Sequence, residues 1–132
     1  VTYQGEHDMI EIQLPWPPKE LSPNFRGHWV PIFRAKKSYR AAARVLARKA
    51  LRHVEGFNRF HGAIQLAYTF HPPAALRYDR DNLAARMKSG TDGIADALGM
   101  DDQGFHFAPP VLAEKVKGGM VRVTIVQLGD IA

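Results

Sequence analysis

Three proline pairs constrain this chain more than any other feature. Pro17-Pro18, Pro72-Pro73 and Pro109-Pro110 each stand at the end of, or inside, an apolar β-favouring run. Proline has no N–H to give to a ladder, so within sheets it is confined to strand ends, edges and bulges. Met9-Ile10-Glu11-Ile12-Gln13-Leu14 alternates loosely and predicts a strand ending at Pro15-Trp16-Pro17-Pro18. Ala63 to Phe70 alternates with β-favouring residues and predicts a second strand, stopped by His71-Pro72-Pro73. Phe105 to Val116 and Met120 to Leu128 are two further extended segments. Pro109-Pro110 lets only part of the first one pair, and Lys117-Gly118-Gly119 between them predicts a hairpin turn.

The remaining stretches read as helices and one loop. Residues 19–33, with Pro23, Gly27 and Pro31, predict an ordered loop. From Arg34 to about Val54 the residues are strong helix formers. On a wheel of about 100° per residue, Tyr39, Ala43, Leu46, Ala50 and Val54 share one face; Lys37, Arg40, Arg44, Arg48 and Arg52 share another, centred about 140° away. A second helix is expected from Asp81 to about Leu98, with Leu83, Met87, Ile94 and Leu98 on its apolar face. Gly90 and Gly93 each weaken it by about 1 kcal/mol relative to alanine, so a kink or break is expected there. Gly99 is placed to stop it. The order β-α-β-α-β-β predicts an α+β fold, a mixed or mostly antiparallel sheet covered by two helices, as one domain over residues 1–132.

Composition narrows the class. The 132 residues are 45% apolar and contain no cysteine, which excludes a disulfide framework and a thiolate metal site. No run of eighteen apolar residues exists, so no membrane span is expected. The opening Val1-Thr2-Tyr3-Gln4-Gly5-Glu6-His7 shows no basic and apolar signal pattern, and the expected location is the cytoplasm. The net charge of +5 is unevenly spread: nine of the eighteen Lys and Arg lie between Leu21 and Val54, where there is no acid. An ordinary solvated helix face mixes signs. An acid-free basic stripe favours contact with nucleic-acid phosphates.

Against that background six acids, Asp79, Asp81, Asp92, Asp96, Asp101 and Asp102, fall in twenty-four residues with Lys88 among them. A hard divalent cation near a phosphodiester is one reason to gather them. Mg²⁺ takes oxygen ligands, usually one or two protein carboxylates plus phosphate and water. Helix capping and surface decoration are the other reason, and Asp81 is expected to start its helix. Asp79 and Asp81 are two apart, so in extended chain both carboxylates point the same way. Lys88 and Asp92 lie within about 20° of Asp81 on the helical wheel. Lys88 has two readings: charge stabilisation at a phosphate, or a pair with Asp92 or Asp81. A straight helix from Asp81 to Leu98 would be about 27 Å long, so Asp102 meets Asp81 only through a break, a returning strand or a second subunit. The six histidines show no zinc spacing, and neither a nucleophile elbow nor a glycine-rich phosphate loop is present.

In order along the chain stand Leu14-Pro15-Trp16-Pro17-Pro18, Ser22-Pro23-Asn24, Asp79-Arg80-Asp81-Asn82-Leu83, Lys88-Ser89-Gly90-Thr91-Asp92, Asp101-Asp102, and Lys117-Gly118-Gly119 before Val121-Arg122-Val123-Thr124-Ile125. Together they resemble the RusA family of Holliday junction resolvases across nearly the whole chain. The resemblance implies Mg²⁺ or Mn²⁺ held by Asp79, Asp81 and Asp102, with Lys88 as the active-site lysine. It also implies a homodimer acting on four-way junction DNA by paired nicks, in recombination, repair or phage DNA processing. Lys88 follows Asp81 by seven residues, three more than in the family form with the lysine four residues on; Arg86 is the alternative cation. Asp102 is chosen over Asp101 by motif position. The stripe Lys37, Arg40, Arg44, Arg48 and Arg52 would run along the junction arms. The competing expectations are a less selective branched-DNA or flap nuclease and a DNA-binding module without catalysis.

Overall fold

The structure is a computed structural model and describes residues 9–52 and 62–129. It has an α+β architecture built on a five-stranded mixed sheet. β1 (Met9–Pro15) buries Ile10, Ile12 and Leu14 and exposes the residues between them, the alternation of a strand with one wet face. β2 (Ala63–His71) is central. β5 (Met120–Gly129) lies antiparallel between β1 and β2, while β3 (Phe105–Phe107) and β4 (Val111–Leu112) run parallel to β2 on its other edge. Pro109-Pro110 divides the last two, as its missing ladder donors require.

The expected hairpin between the last two extended segments does not form. β4 and β5 both pair with β2, on opposite edges. The connection instead passes over the end of β2. Ala113 N donates to Phe70 O at 2.9 Å and Val116 N to Pro72 O at 2.9 Å before Gly118 and Gly119, at φ +80° and +76°, reverse the chain. The glycines mark the turn correctly; they do not say which strands it separates.

α1 (Trp29–Leu51) starts five residues before the expected Arg34. Pro31 sits in its first turn, where an N–H has no intrahelical partner to lose. His28 caps it, accepting from Val30 N at 3.2 Å. Tyr39, Ala43, Ala47 and Leu51 are its buried residues, with Leu46 and Ala50 partly buried beside them; Val54, placed on the same face by the wheel, lies outside the described residues.

The helix expected over 81–98 is two helices, α2 (Arg80–Arg86) and α3 (Lys88–Leu98). The break is at Met87 (φ −86°, ψ 3°) and not at the glycines. Gly90 and Gly93 have a different task, the close approach of α3 to α1. A Cβ on Gly93 would overlap the Arg40 carbonyl oxygen and stand 2.9 Å from Ala43 Cβ; one on Gly90 would stand 2.8 Å from the Tyr39 ring. Gly99, left-handed at φ +66°, ends α3 as expected. Buried side chains of α1, α2, α3, β1, β2, β3 and β5 form one hydrophobic cluster.

Gly93→Ala therefore tests the packing against helix propensity. In an uncrowded helix the change stabilises by up to about 1 kcal/mol. Here overpacking is expected to destabilise by about 1–3 kcal/mol, read as a lower urea midpoint at unchanged slope.

Candidate functional site

The site begins with a strap. Trp16 packs edge-on against Phe70 of β2 and Tyr78, with ring centroids 6.1 Å and 5.6 Å away, and Pro17 is buried. The strap's far end is tied to α2. Asn82 Nδ2 donates to Ser22 Oγ at 3.0 Å, and Arg86 donates to Asn82 Oδ1 at 3.3 Å and to Pro17 O at 3.5 Å. The two motif segments, sixty residues apart, are thus one structural unit that fixes where α2 starts. Arg86, the alternative cation, is a brace in this arrangement.

Asp79, and not Asp81, caps the helix. Its Oδ1 accepts from Asp81 N at 2.9 Å and Asn82 N at 3.2 Å. That is the normal way an aspartate satisfies the unpaired donors of a first turn. Among the described residues its other carboxylate oxygen has no hydrogen bond. Asp81 is exposed, and among the described residues its carboxylate makes no hydrogen bond or ion pair. Both side chains line a cavity of about 450 Å³ with Arg80, Pro109 and Pro110.

Lys88 and Asp102 stand one cavity over, in a space of about 380 Å³ that shares Pro110. Lys88 Nζ lies 3.1 Å from Asp92 Oδ1 and 3.2 Å from Asp102 Oδ2. The chain doubles back after Gly99, and a 3-10 turn at Asp102–Gly104 leads into β3, which brings Asp102 to Lys88. The hydrogen bond to Asp92, then that to Asp102, pushes the Lys88 pKa above its ordinary value; the hydrogen bond from Lys88 holds the Asp102 carboxyl below its own. Asp101 is turned to its own backbone, accepting from Gln103 N at 3.0 Å. A third cavity, about 560 Å³, shares Ala85 and Lys88 with the second and continues past Arg86 to Lys36 and Phe25.

Among the described residues no group of three or more His, Asp and Glu stands close enough to hold one metal ion. The donor set around Asp79 and Asp81 suits a hard cation held by two carboxylates, with phosphate and water completing its shell. It does not suit a cage of three carboxylates with Asp102.

No family model matches this chain. A protein of Xylella fastidiosa (strain Temecula1), described as "Uncharacterized protein", is 41% identical over 125 residues, covering 92% of this chain and 78% of the relative. The chain belongs to that protein's family. The relative's description names no activity. No helix of the described residues is long and apolar enough to cross a membrane.

The basic stripe is exposed at Lys37, Arg40, Arg44, Arg48 and Arg52. The fold supplies an acid that the stripe itself lacks. Asp96 of α3 accepts from two Arg40 nitrogens, Nε at 2.8 Å and Nη2 at 2.9 Å. That bond, reinforced by the charges of Arg44 and Arg48, holds the Asp96 carboxyl below its ordinary 3.8. Arg40 is therefore committed to the α1–α3 contact, and the other four carry the stripe. Helix periodicity places Arg40 on the stripe but cannot find a partner fifty-six residues away.

The pair has a pH signature. A carboxyl depressed in the folded state adds stability above its unfolded pKa, and the gain is lost as pH falls through the folded value. Arg40→Ala should cost little stability at neutral pH, because the pair is solvent-screened. The difference from the parent protein should shrink below the unfolded carboxyl value of 3.8, as measured by urea unfolding across acid pH. A difference that stays constant into strong acid would assign the effect to packing and not to charge.

Proposed function

We propose that this protein is a divalent-cation-dependent, structure-selective endodeoxyribonuclease that resolves Holliday junctions by paired nicks, in bacterial or phage DNA metabolism in the cytoplasm. The observation that carries this reading is the meeting of Lys88 and Asp102 at 3.2 Å, beside the cavity of Asp79 and Asp81. Residues quoted separately by the RusA resemblance come together on two adjoining concavities in a chain whose longest helix is basic. The break at Met87 starts a new helix at Lys88, which supports reading Lys88 as the family lysine despite its three-residue displacement.

Mg²⁺ or Mn²⁺ held by Asp79 and Asp81 would supply Lewis-acid activation for phosphodiester hydrolysis. Asp79 fixes the position of α2 with one oxygen and offers the other. Asp81 offers a carboxylate with no competing partner among the described residues. Lys88, kept protonated and held in place by Asp92 and Asp102, would offset charge developing on the phosphate. Lys37, Arg44, Arg48 and Arg52 would follow the duplex arms. A homodimer with two-fold symmetry would present two such sites to a near-symmetric junction.

One observation favours a second reading: Asp79 is a working helix cap and would be retained in a DNA-binding module without catalysis. Cleavage of a fixed four-way junction against a linear duplex, with and without Mg²⁺, separates the readings. A flap or branched-DNA nuclease of lower selectivity would cut an added flap substrate as readily as the four-way form.

Asp81→Asn should abolish Mg²⁺-dependent cleavage and spare junction binding, since it removes charge and keeps shape. Lys88→Ala should lower the single-turnover rate on the order of 10²-fold or more, the scale for one preorganised charge-stabilising donor. Wild-type turnover in both variants would remove the catalytic assignment.

Replacing Arg44 and Arg48 by alanine should weaken junction binding and reduce the salt slope by about 0.9 per lost duplex phosphate contact. Arg40→Ala should change that slope less, because Asp96 already neutralises it. An unaltered slope in the double variant would make the stripe an ordinary solvated face.

A further inference from the structure

The cavity beside Lys88 is more apolar than a phosphate site needs. Its aromatic side is Phe107, 54% exposed, with its ring 6.1 Å from the buried ring of Tyr68 and tilted 34° to it. Lys88 and Asp102 supply its charged lining, and its small residues are Ala84 and Ala85 of α2 and Ala108. A larger residue at any of these positions would fill the space. Its volume of about 380 Å³ lies near the lower end of the roughly 300–1,000 Å³ that small-molecule sites span. That admits one planar ring system and excludes a duplex.

The polar groups at the back are already satisfied. Thr91 Oγ1 donates to Met87 O at 2.8 Å, so the buried Tyr68 hydroxyl donates to Thr91. Burial also raises the Tyr68 pKa, which keeps that proton in place. With no open donor or acceptor there, the cavity can stack a ring but cannot read its edge from behind. The adjoining cavities carry cations among acids, Asp79 and Asp81 on one side and Glu20 and Asp92 on the other. Arg80 lines the cavity on one side, Lys88 stands on the wall, and Lys36 and Arg86 line the cavity on the other side. An apolar slot with an aromatic wall between two cation-bearing concavities matches one unit of single-stranded nucleic acid, base inward and phosphates outward.

We propose that this cavity takes one unstacked nucleobase of the DNA branch, laid against Phe107. The proposal rests on the nuclease reading of the neighbouring acids and adds the device that selects branched substrate. Extruding a base costs least where it is already unpaired or poorly stacked. A linear duplex must supply that energy in full, and a branch point much less of it. Because the back of the slot offers no unmet hydrogen bond, the slot should accept purines and pyrimidines alike.

The test uses four-way junctions carrying 2-aminopurine at successive nucleotides around the crossover, in buffer without divalent cation. Binding of the full chain should change the fluorescence at one position, and Asp81→Asn should keep that change. Phe107→Ala, at an exposed position, should abolish it and lower the junction-to-duplex affinity ratio on the order of 10-fold, the scale of one lost base–aromatic stack. Phe107→Trp should restore both. Ala85→Leu, an exposed change to a good helix former that fills the slot, should mimic Phe107→Ala, so the result does not depend on one variant folding. Should the junction be bound and cut while both variants leave fluorescence and ratio unaltered, the base slot is overturned and the nuclease reading stands. If Phe107→Ala changes the oligomeric state and not the DNA signal, the cavity is a protein contact and the proposal fails. No binding or cleavage of any branched DNA would sink the nuclease reading itself.

Discussion

The arrangement around the acids depends on how Met87 is held. It is fully buried at the junction of α2 and α3. The Tyr39 hydroxyl donates to Pro15 O at 2.7 Å and touches Met87 Sδ at 3.6 Å, joining the end of β1 and the middle of α1 to the break. Thr91 N and Thr91 Oγ1 both donate to Met87 O at 2.8 Å, and Tyr68 of β2 closes the group. A buried hydroxyl left unpaired costs about 1–3 kcal/mol, so the partnered Tyr39 and Tyr68 hydroxyls help to hold the segment around Met87 in place. The bend frees α2 to lie against the proline strap while α3 lies along α1. Without it Lys88 would continue the α2 axis, and the returning chain at Asp102 would not reach it.

The six acids that look like a single cluster in the sequence are divided by the fold among separate tasks. Asp79 caps α2, Asp96 clamps α1 to α3, Asp92 and Asp102 hold Lys88, and Asp101 turns back on Gln103. Asp81 alone of the six has a carboxylate without a partner among the described residues. A charged group kept exposed and unpaired beside a concavity contributes little to stability and is the one most available to a ligand. The capping explanation therefore holds for Asp79, and the proposed function draws on the free carboxylate of Asp81.

Local pattern showed the strands well because their signal is local. Alternation and proline stops located β1, β2 and β5 to within a residue or two, and the α+β class followed. The departures share one cause, contact between residues distant in sequence. Methionine is a good helix former, so nothing near Met87 marks a break. Gly90 and Gly93 look like weak points until Tyr39 and the Arg40 carbonyl are seen against them. Gly118-Gly119 announces a turn but not the crossing over β2 that follows from pairing on both edges of that strand. In the site, Asp79, Asp81, Lys88 and Asp102 were legible as types at motif spacing. The brace of Ser22, Asn82 and Arg86 was not, because its contacts span up to sixty-nine residues.

The same long-range contacts explain why α1 matters to a site it does not line with acids. Its inner face sets the height of α3 through Gly93, and its outer face sets the rotation of α3 through the Arg40–Asp96 pair. Lys88 is the first residue of α3, so any slide of α3 along α1 moves the amine relative to Asp79 and Asp81 on α2, which is braced separately by the strap. A displacement of about 1 Å at reacting groups can cost about 10²-fold in rate. Two independently braced helices meeting at one buried residue give the fixed spacing that the proposed chemistry would require. The crowding at Gly93 limits any such slide, because α1 and α3 are already packed to backbone contact there.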